Sequence, residues 1–176
     1  GYGYQGTLGI GVLGNRSSPT QVGTLTNWKT PSQNSLAAAC TTTDGKLFTW
    51  GINNRGQLGL GDTVSRSSPV QVGSLTTWAT PASAGGYFPA TACVKTDGTL
   101  WTWGANSNGQ LGDNTDSKKS SPVQTTAYGT NWKQVSGGYY HTVATKTDGS
   151  LWTWGTNGGS LGDNTTTHRS SPVQTV

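Results

Sequence analysis

Two histidines, His141 and His168, are the obvious residues on which to look for catalysis, and neither has company. No Cys or acid stands from either at the spacing of a metal site or a catalytic triad. Serine is abundant, yet none sits in the strand–turn–helix elbow that exposes a nucleophile. Glycine runs occur without the Gly-Lys-(Ser/Thr) of a phosphate loop. No Asp-x-Asp-x-Asp-Gly calcium loop is present. Cys40 and Cys93 each precede an Asp-Gly pair by four residues, where a third copy has Ala144. Two thiols cannot build a zinc site alone. They read as small buried strand residues, the alternative being a disulfide with Cα atoms within about 7 Å. The expectation is a protein that is not an enzyme, with no catalytic, cofactor-binding or metal-binding residues.

Binding is the chemistry left. Arg16, Arg66, Lys119 and Arg169 each lie three residues before the proline of a recurring Ser-Ser-Pro-x-Gln, and Lys118 adds a second charge beside Lys119. Equivalent positions in a repeat map to equivalent places in space, so these cations form a candidate arc for an anionic partner such as an acidic glycan. The plainer reading is a set of solvated loop charges kept for solubility. The net charge of +4 is modest and no aromatic is interleaved with the cations, which argues against specific nucleic-acid recognition. Repeat equivalence favours core packing for the recurring Trp sets; if one set reaches the surface and stacks on sugars, the candidate is Trp28, Trp78 and Trp132, with Tyr87, Tyr139 and Tyr140 nearby in sequence.

These residues are positioned by a repeat. Gly51-Ile-Asn-Asn-Arg-Gly-Gln-Leu-Gly59 returns as Gly104-Ala-Asn-Ser-Asn-Gly-Gln-Leu-Gly112, and more loosely at 155–162. Ser-Ser-Pro-x-Gln recurs at 17–21, 67–71, 120–124 and 170–174. The single repeat domain 1–176 divides into units 1–50, 51–103 and 104–154 and a partial unit 155–176. Asp44-Gly45, Asp97-Gly98 and Asp148-Gly149 predict tight two-residue hairpin turns, since both residues tolerate positive φ. Strands lead in over 36–42, 90–95 and 142–146, and out over 46–50, 99–103 and 150–154. Further short strands are expected at 69–72, 122–125 and around Trp28, Trp78 and Trp132. Trp50, Trp103 and Trp154, with Leu58, Leu111 and Leu161, recur as core residues. Four short strands per unit of this period describe a blade of an all-β propeller, with no helix.

Trp-Gly-x-Asn-x-x-Gly-Gln-Leu-Gly, then Pro-Val-Gln, then Gly-Gly-x-x-His and Asp-Gly-x-Leu-x-x-Trp-Gly resembles the regulator of chromosome condensation repeat. The match is fullest at Gly137-Gly138-Tyr139-Tyr140-His141, Asp148-Gly149 and Trp154-Gly155. The second unit departs from it with Gly85-Gly86-Tyr87-Phe88-Pro89 and no His, and the first lacks both the Gly pair and the His. The resemblance implies a β-propeller, usually of seven blades, which presents its faces to partners. It also places His141 as a strand residue near the blade core. Seven blades of this period need about 350 residues, against 176 here. Three arrangements are open: part of a longer chain, which the absence of Met favours; one subunit of a ring closed by copies; or a smaller ring.

Only 31% of residues are apolar and 10% charged, and all seven acids are Asp. Eight Trp supply the buried area that aliphatics would otherwise give. No hydrophobic run approaches a membrane span. Asn15-Arg16-Ser17 and Asn164-Thr165-Thr166 fit the glycosylation triplet at about chance frequency for such a composition. The polar, low-charge surface and near-uniform repeats look like prokaryotic and phage members of the family. The expected role is a structural or adhesive propeller on a virion or cell surface, extracellular. Its partners are other protein subunits or further blades. The alternatives are a glycan- or anion-binding module and a regulatory propeller acting on a small GTPase. The family's exchange residues match no position here.

Overall fold

The computed structural model describes residues 1–83 and 89–176. Among these residues three four-stranded antiparallel sheets form, each in sequential strand order. The first blade is β1 (Trp28–Gln33), β2 (Ala37–Thr42), β3 (Leu47–Gly51) and β4 (Arg66–Gln71). The second is β5 (Trp78–Ser83), β6 (Ala90–Lys95), β7 (Leu100–Gly104) and β8 (Lys119–Gln124). The third is β9 (Trp132–Gly137), β10 (His141–Lys146), β11 (Leu151–Gly155) and β12 (Arg169–Gln174). Each sheet takes three strands from one sequence unit and its fourth from the next. β5 touches both β1 and β9, and the three form the inner column, with β4, β8 and β12 at the far edges. The only helical element among the described residues is a 3₁₀ turn, Tyr4–Gly6.

The fourth strands begin three residues before the expected 69–72 and 122–125, so Arg66, Lys119 and Arg169 are strand residues paired with Gly51, Gly104 and Gly155. The first Ser-Ser-Pro-x-Gln, at 17–21, forms no strand. It has the sequence of an outer strand, and among the described residues no strand pairs with it.

The Asp-Gly hairpins differ in detail from the sequence expectation. Gly98 N donates to Lys95 O at 2.9 Å, and Lys95 N donates to Thr99 O at 2.9 Å. That is a three-residue loop, a type I turn closed by a glycine bulge. Only the glycines take positive φ, at 77° for Gly45 and Gly98 and 87° for Gly149. The aspartate has another task. Asp97 Oδ1 accepts from Thr99 N at 2.9 Å and from Thr99 Oγ1 at 2.6 Å, and Thr99 Oγ1 in turn accepts from Trp101 Nε1. Asp148, Ser150 and Trp152 repeat the relay.

The other hairpin explains Gly-Gly-x-x-His. His141 O accepts from Gly138 N at 2.8 Å. A Cβ on Gly138 would meet the His141 imidazole at 2.5 Å, so the ring lies where only glycine leaves room. The first blade has neither residue and still turns. Asn34 Oδ1 accepts from Leu36 N and Ala37 N, both at 2.8 Å, an Asx turn that replaces the glycine pair. The corresponding stretch of the second blade, 84–88, lies outside the described residues.

The core sits between blades. Ala39, Leu47 and Val72 of the first blade side pack against Trp78, Cys93 and Trp103 of the second. Leu100, Ala92 and Val94 on the other face of the second blade pack against Trp132, Ala144 and Trp154 of the third. The two-residue strand period therefore sends Trp103 to one neighbour and Leu100 to the other. Cys40 and Cys93 are buried free thiols, and burial pushes Cys93 up to about 12.

The Gly-Gln-Leu-Gly loop locks each blade onto the next. Gln57 O accepts from Trp103 Nε1 at 3.0 Å and Thr91 Oγ1 at 2.8 Å. Gln110 O accepts from Trp154 Nε1 at 2.9 Å and Thr142 Oγ1 at 2.8 Å. Both lone pairs of one carbonyl thus serve the following blade. Further along the loop, Gly61 N donates to Ser120 O, and Asn114 N to Ser170 O, each at 2.8 Å. Residues 1–14 present the same loop to the first blade, with Gly9 against the Trp50 indole and Gly11 N donating to Ser67 O.

Candidate functional site

The third blade carries the same loop, and among the described residues no blade packs on it. Ser160 stands where Gln57 and Gln110 stand and is exposed. Gly158 and Gly159 have open space at the Cβ position. Gly149 likewise has no neighbour, whereas Gly45 and Gly98 lie directly against the carbonyls of Thr76 and Thr130 in the connection to the next blade. Leu47 and Leu100 are fully buried, but the equivalent Leu151 is 39% exposed. A receiving loop, a hairpin turn and an apolar position are uncovered together at one end of the stack.

At the opposite end the first blade's outer face is covered in part. Val22 and Trp28 pack with Ala38, Cys40, Phe48 and Trp50.

The cations of the expected arc do not form a free positive rim. Arg66 pairs with Asp62 at 2.6 Å, Lys119 with Asp113 at 3.5 Å and Arg169 with Asp163 at 2.7 Å. Each acid is anchored by the motif asparagine. Asn53 Nδ2 donates to Asp62 Oδ1, Asn106 Nδ2 to Asp113 Oδ1 and Asn157 Nδ2 to Asp163 Oδ1, all at 3.0 Å. The same asparagines accept through Oδ1 from Leu58 N and Leu111 N, both at 2.9 Å. The basic positions are therefore the outer members of part-buried Asn–Asp–cation networks that shape the loop. Arg16 escapes this. Ile10 and Val12 occupy the places of the acids there, and its Nη1 donates to Asn15 O. Lys118 is exposed beside Asp116 and Arg55. The acids were legible in retrospect: an Asp follows the motif Asn by six to nine residues in three units.

Arg169 beside Asp163 pulls its carboxyl down to about 2, with Thr165 and Asn157 adding hydrogen bonds. A depressed folded value means stability present above the ordinary 3.8 and lost as pH falls towards about 2. Asp163→Asn is expected to flatten the fall in Tm between those two values, read by thermal melts across that window.

Trp78 and Trp132 are both 3% exposed, so the expected stacking surface is corrected. They lie edge-on to Trp103 and Trp154 at ring-centroid distances of 5.9 and 6.1 Å, inside the inter-blade core. Trp28 is half-buried against Phe48. Tyr139 is exposed and stacks edge-on with Tyr140. Tyr87 lies outside the described residues. Trp50, Trp103 and Trp154 are buried, as are Leu58, Leu111 and Leu161. His168 Nδ1 accepts from Asn157 N at 2.8 Å, a structural use of the ring.

The Regulator of chromosome condensation (RCC1) repeat model matches residues 44–91 and 97–145. A second model of the same repeat matches 82–110 and 132–159. The chain is 38% identical over 68 residues to the X-linked retinitis pigmentosa GTPase regulator homolog of Caenorhabditis elegans, covering 38% of this chain and 5% of that protein. It is 38% identical over 78 residues to the mitochondrial RCC1 domain-containing protein RUG3 of Arabidopsis thaliana, covering 43% of this chain and 17% of the relative. In fold it matches human WBSCR16 with a TM-score of 0.80 at 20% identity, over 98% of this chain and 45% of that one. A chain in the crystal structure of Kap60 bound to yeast RCC1 (Prp20) matches with a TM-score of 0.76 at 20% identity, over 99% of this chain and 43% of that one. The chain thus spans under half the length of these propellers and a smaller share of the curated relatives.

Proposed function

The chain belongs to the regulator of chromosome condensation repeat family, and on that footing we propose that it is a non-enzymatic propeller segment whose work is assembly. Its third blade receives another blade of the same pattern, from the same polypeptide or from a partner subunit. Its loops and faces are displayed to other proteins. The observation that carries this is the unfilled receiving loop of the third blade, with Leu151 and Gly149 uncovered beside it. A buried leucine is worth about 1.5–3 kcal/mol, so leaving this face open to water is unfavourable. Leu151→Asp leaves the two closed interfaces untouched and should lower the Tm of the native protein by several degrees, and where the next blade comes from a partner subunit it should also abolish the assembly read by native mass spectrometry. An unchanged Tm with unchanged assembly would defeat the reading.

A virion or cell-surface setting, in the style of prokaryotic and phage members, is the location we propose for it. Support comes from the scarcity of charge, the absence of Glu and the uniform repeats. Labelling of intact particles or cells with an antibody to the chain tests it, and labelling only after lysis would refute it. A glycan- or anion-binding role would rest on Arg16 and Lys118, since the other cations are held by acids. Regulation of a small GTPase would rest on relatives: one is named a GTPase regulator homolog, and the structure of Prp20p is described with its binding to Gsp1p and histones.

A further inference from the structure

A groove of about 500 Å³ opens between the first and second blades. Leu60, Val72 and Leu75 wall one side, and Trp78 and Trp101 the other. Lys95, the last residue of β6, also borders it and is only 8% exposed. Its ammonium lies 4.7 Å from the Trp78 ring centroid and 3.8 Å from that of Trp101. Among the described residues it has no hydrogen-bond acceptor and no ion-pair partner. Asp97, the acid that acts on it electrostatically, has Oδ1 committed to Thr99. The Trp78 indole N–H is buried in the groove wall without an acceptor among the described residues.

An ammonium on a side chain that is 8% exposed, held by two indole faces, keeps part of its desolvation cost unrepaid. Burial accordingly lowers the Lys95 pKa. An acceptor entering the groove would meet the Lys95 ammonium, and an anion would gain most. The walls set the rest of the ligand. They are aliphatic and aromatic, and the volume suits a small molecule or a short peptide end.

The same lysine position recurs in the third blade, with Lys146 4.8 Å from the Trp132 ring and 4.2 Å from that of Trp152. There the residue after the loop glycine is Asp113, paired with Lys119, where the first interface has Leu60. The apolar wall is therefore particular to the first interface.

We propose that the groove between the first two blades binds an apolar carboxylate, its carboxylate on Lys95 and its hydrocarbon against Leu60, Val72 and Leu75. A free alkanoic acid and the C-terminus of a peptide ending in apolar residues share this chemistry. The test titrates the full chain with octanoate and with N-acetyl-Leu-Leu, following tryptophan fluorescence and calorimetry, with octanamide and N-acetyl-Leu-Leu amide as neutral controls. The expected result is saturable binding of at least one acid with Kd below about 1 mM. Its amide should bind about tenfold more weakly or worse, and Lys95→Gln should lose a similar factor. Lys146→Gln should leave binding unchanged. Leu60→Asp, which writes the second loop's residue into the first, should weaken it with the fold retained. Which acid binds more tightly separates the free-acid source from the peptide source. The proposal is overturned if neither acid saturates, if the amides bind as well as the acids, or if a folded Lys95→Gln or Leu60→Asp protein binds like the parent.

Discussion

Trp103→Ala is expected to destabilise the chain by about 4 kcal/mol, in the range for emptying a large aromatic from a packed core. Trp103 is fully buried between the first two blades, in contact range of Trp78 and the Gly59 backbone. Its loss opens a cavity on the interface and removes one of the two donors to Gln57 O. Single domains have only about 5–15 kcal/mol of stability in hand. The variant should therefore show a large drop in urea midpoint, with the slope m preserved if unfolding stays two-state. Trp103→Phe keeps much of the packing and loses the N–H, so it should fall between the two. A parental midpoint for Trp103→Ala would mean that the interface is not held as described.

The second large effect is a contrast between equivalent glycines. Gly98→Ala should cost about 4 kcal/mol. About 1–2 comes from placing a Cβ at positive φ, and the rest from driving it into the Thr130 carbonyl, an overpacking with no flexible side chain to yield. Gly149→Ala has the same backbone strain, at φ 87°, and open space around it. It should cost only about 1–2 kcal/mol in this chain. Equilibrium unfolding of the pair measures the difference directly. In an assembly where a further blade covers the third, Gly149→Ala should become as harmful as Gly98→Ala.

The fold was legible because the repeat wrote it several times. The Asp-Gly pairs marked hairpins, and the Trp-Thr-Trp strands fixed which faces are buried. The turn type was not legible, because Asp97 can tolerate positive φ and can also accept hydrogen bonds, and only the local geometry decides. The candidate site was read less well. Arg66, Lys119 and Arg169 announced themselves by recurring before a proline, and charge alone suggested a free rim. Two of their acids align, Asp113 and Asp163 each following Leu-Gly, but Asp62 falls two residues later and Leu60 takes their column. A column-by-column comparison of the units therefore hides the partner of Arg66, which the loop brings to the same place. Trp78 and Trp132 misled for a related reason. They open the inner strands just before variable segments, which suggested exposure, yet they lie against the next Trp set. The groove at Lys95 depended on Leu60 facing a strand of the other blade, a contact that no sequence spacing marks.

The most direct test of the central claim is the intact mass and assembly state of the native protein, measured by native mass spectrometry of material from its source. The account predicts a particle that holds more blades than these three, in one longer polypeptide or in associated copies, with residues 155–162 protected from hydrogen exchange. A lone 176-residue monomer, stably folded and with that loop exchanging freely, would contradict it.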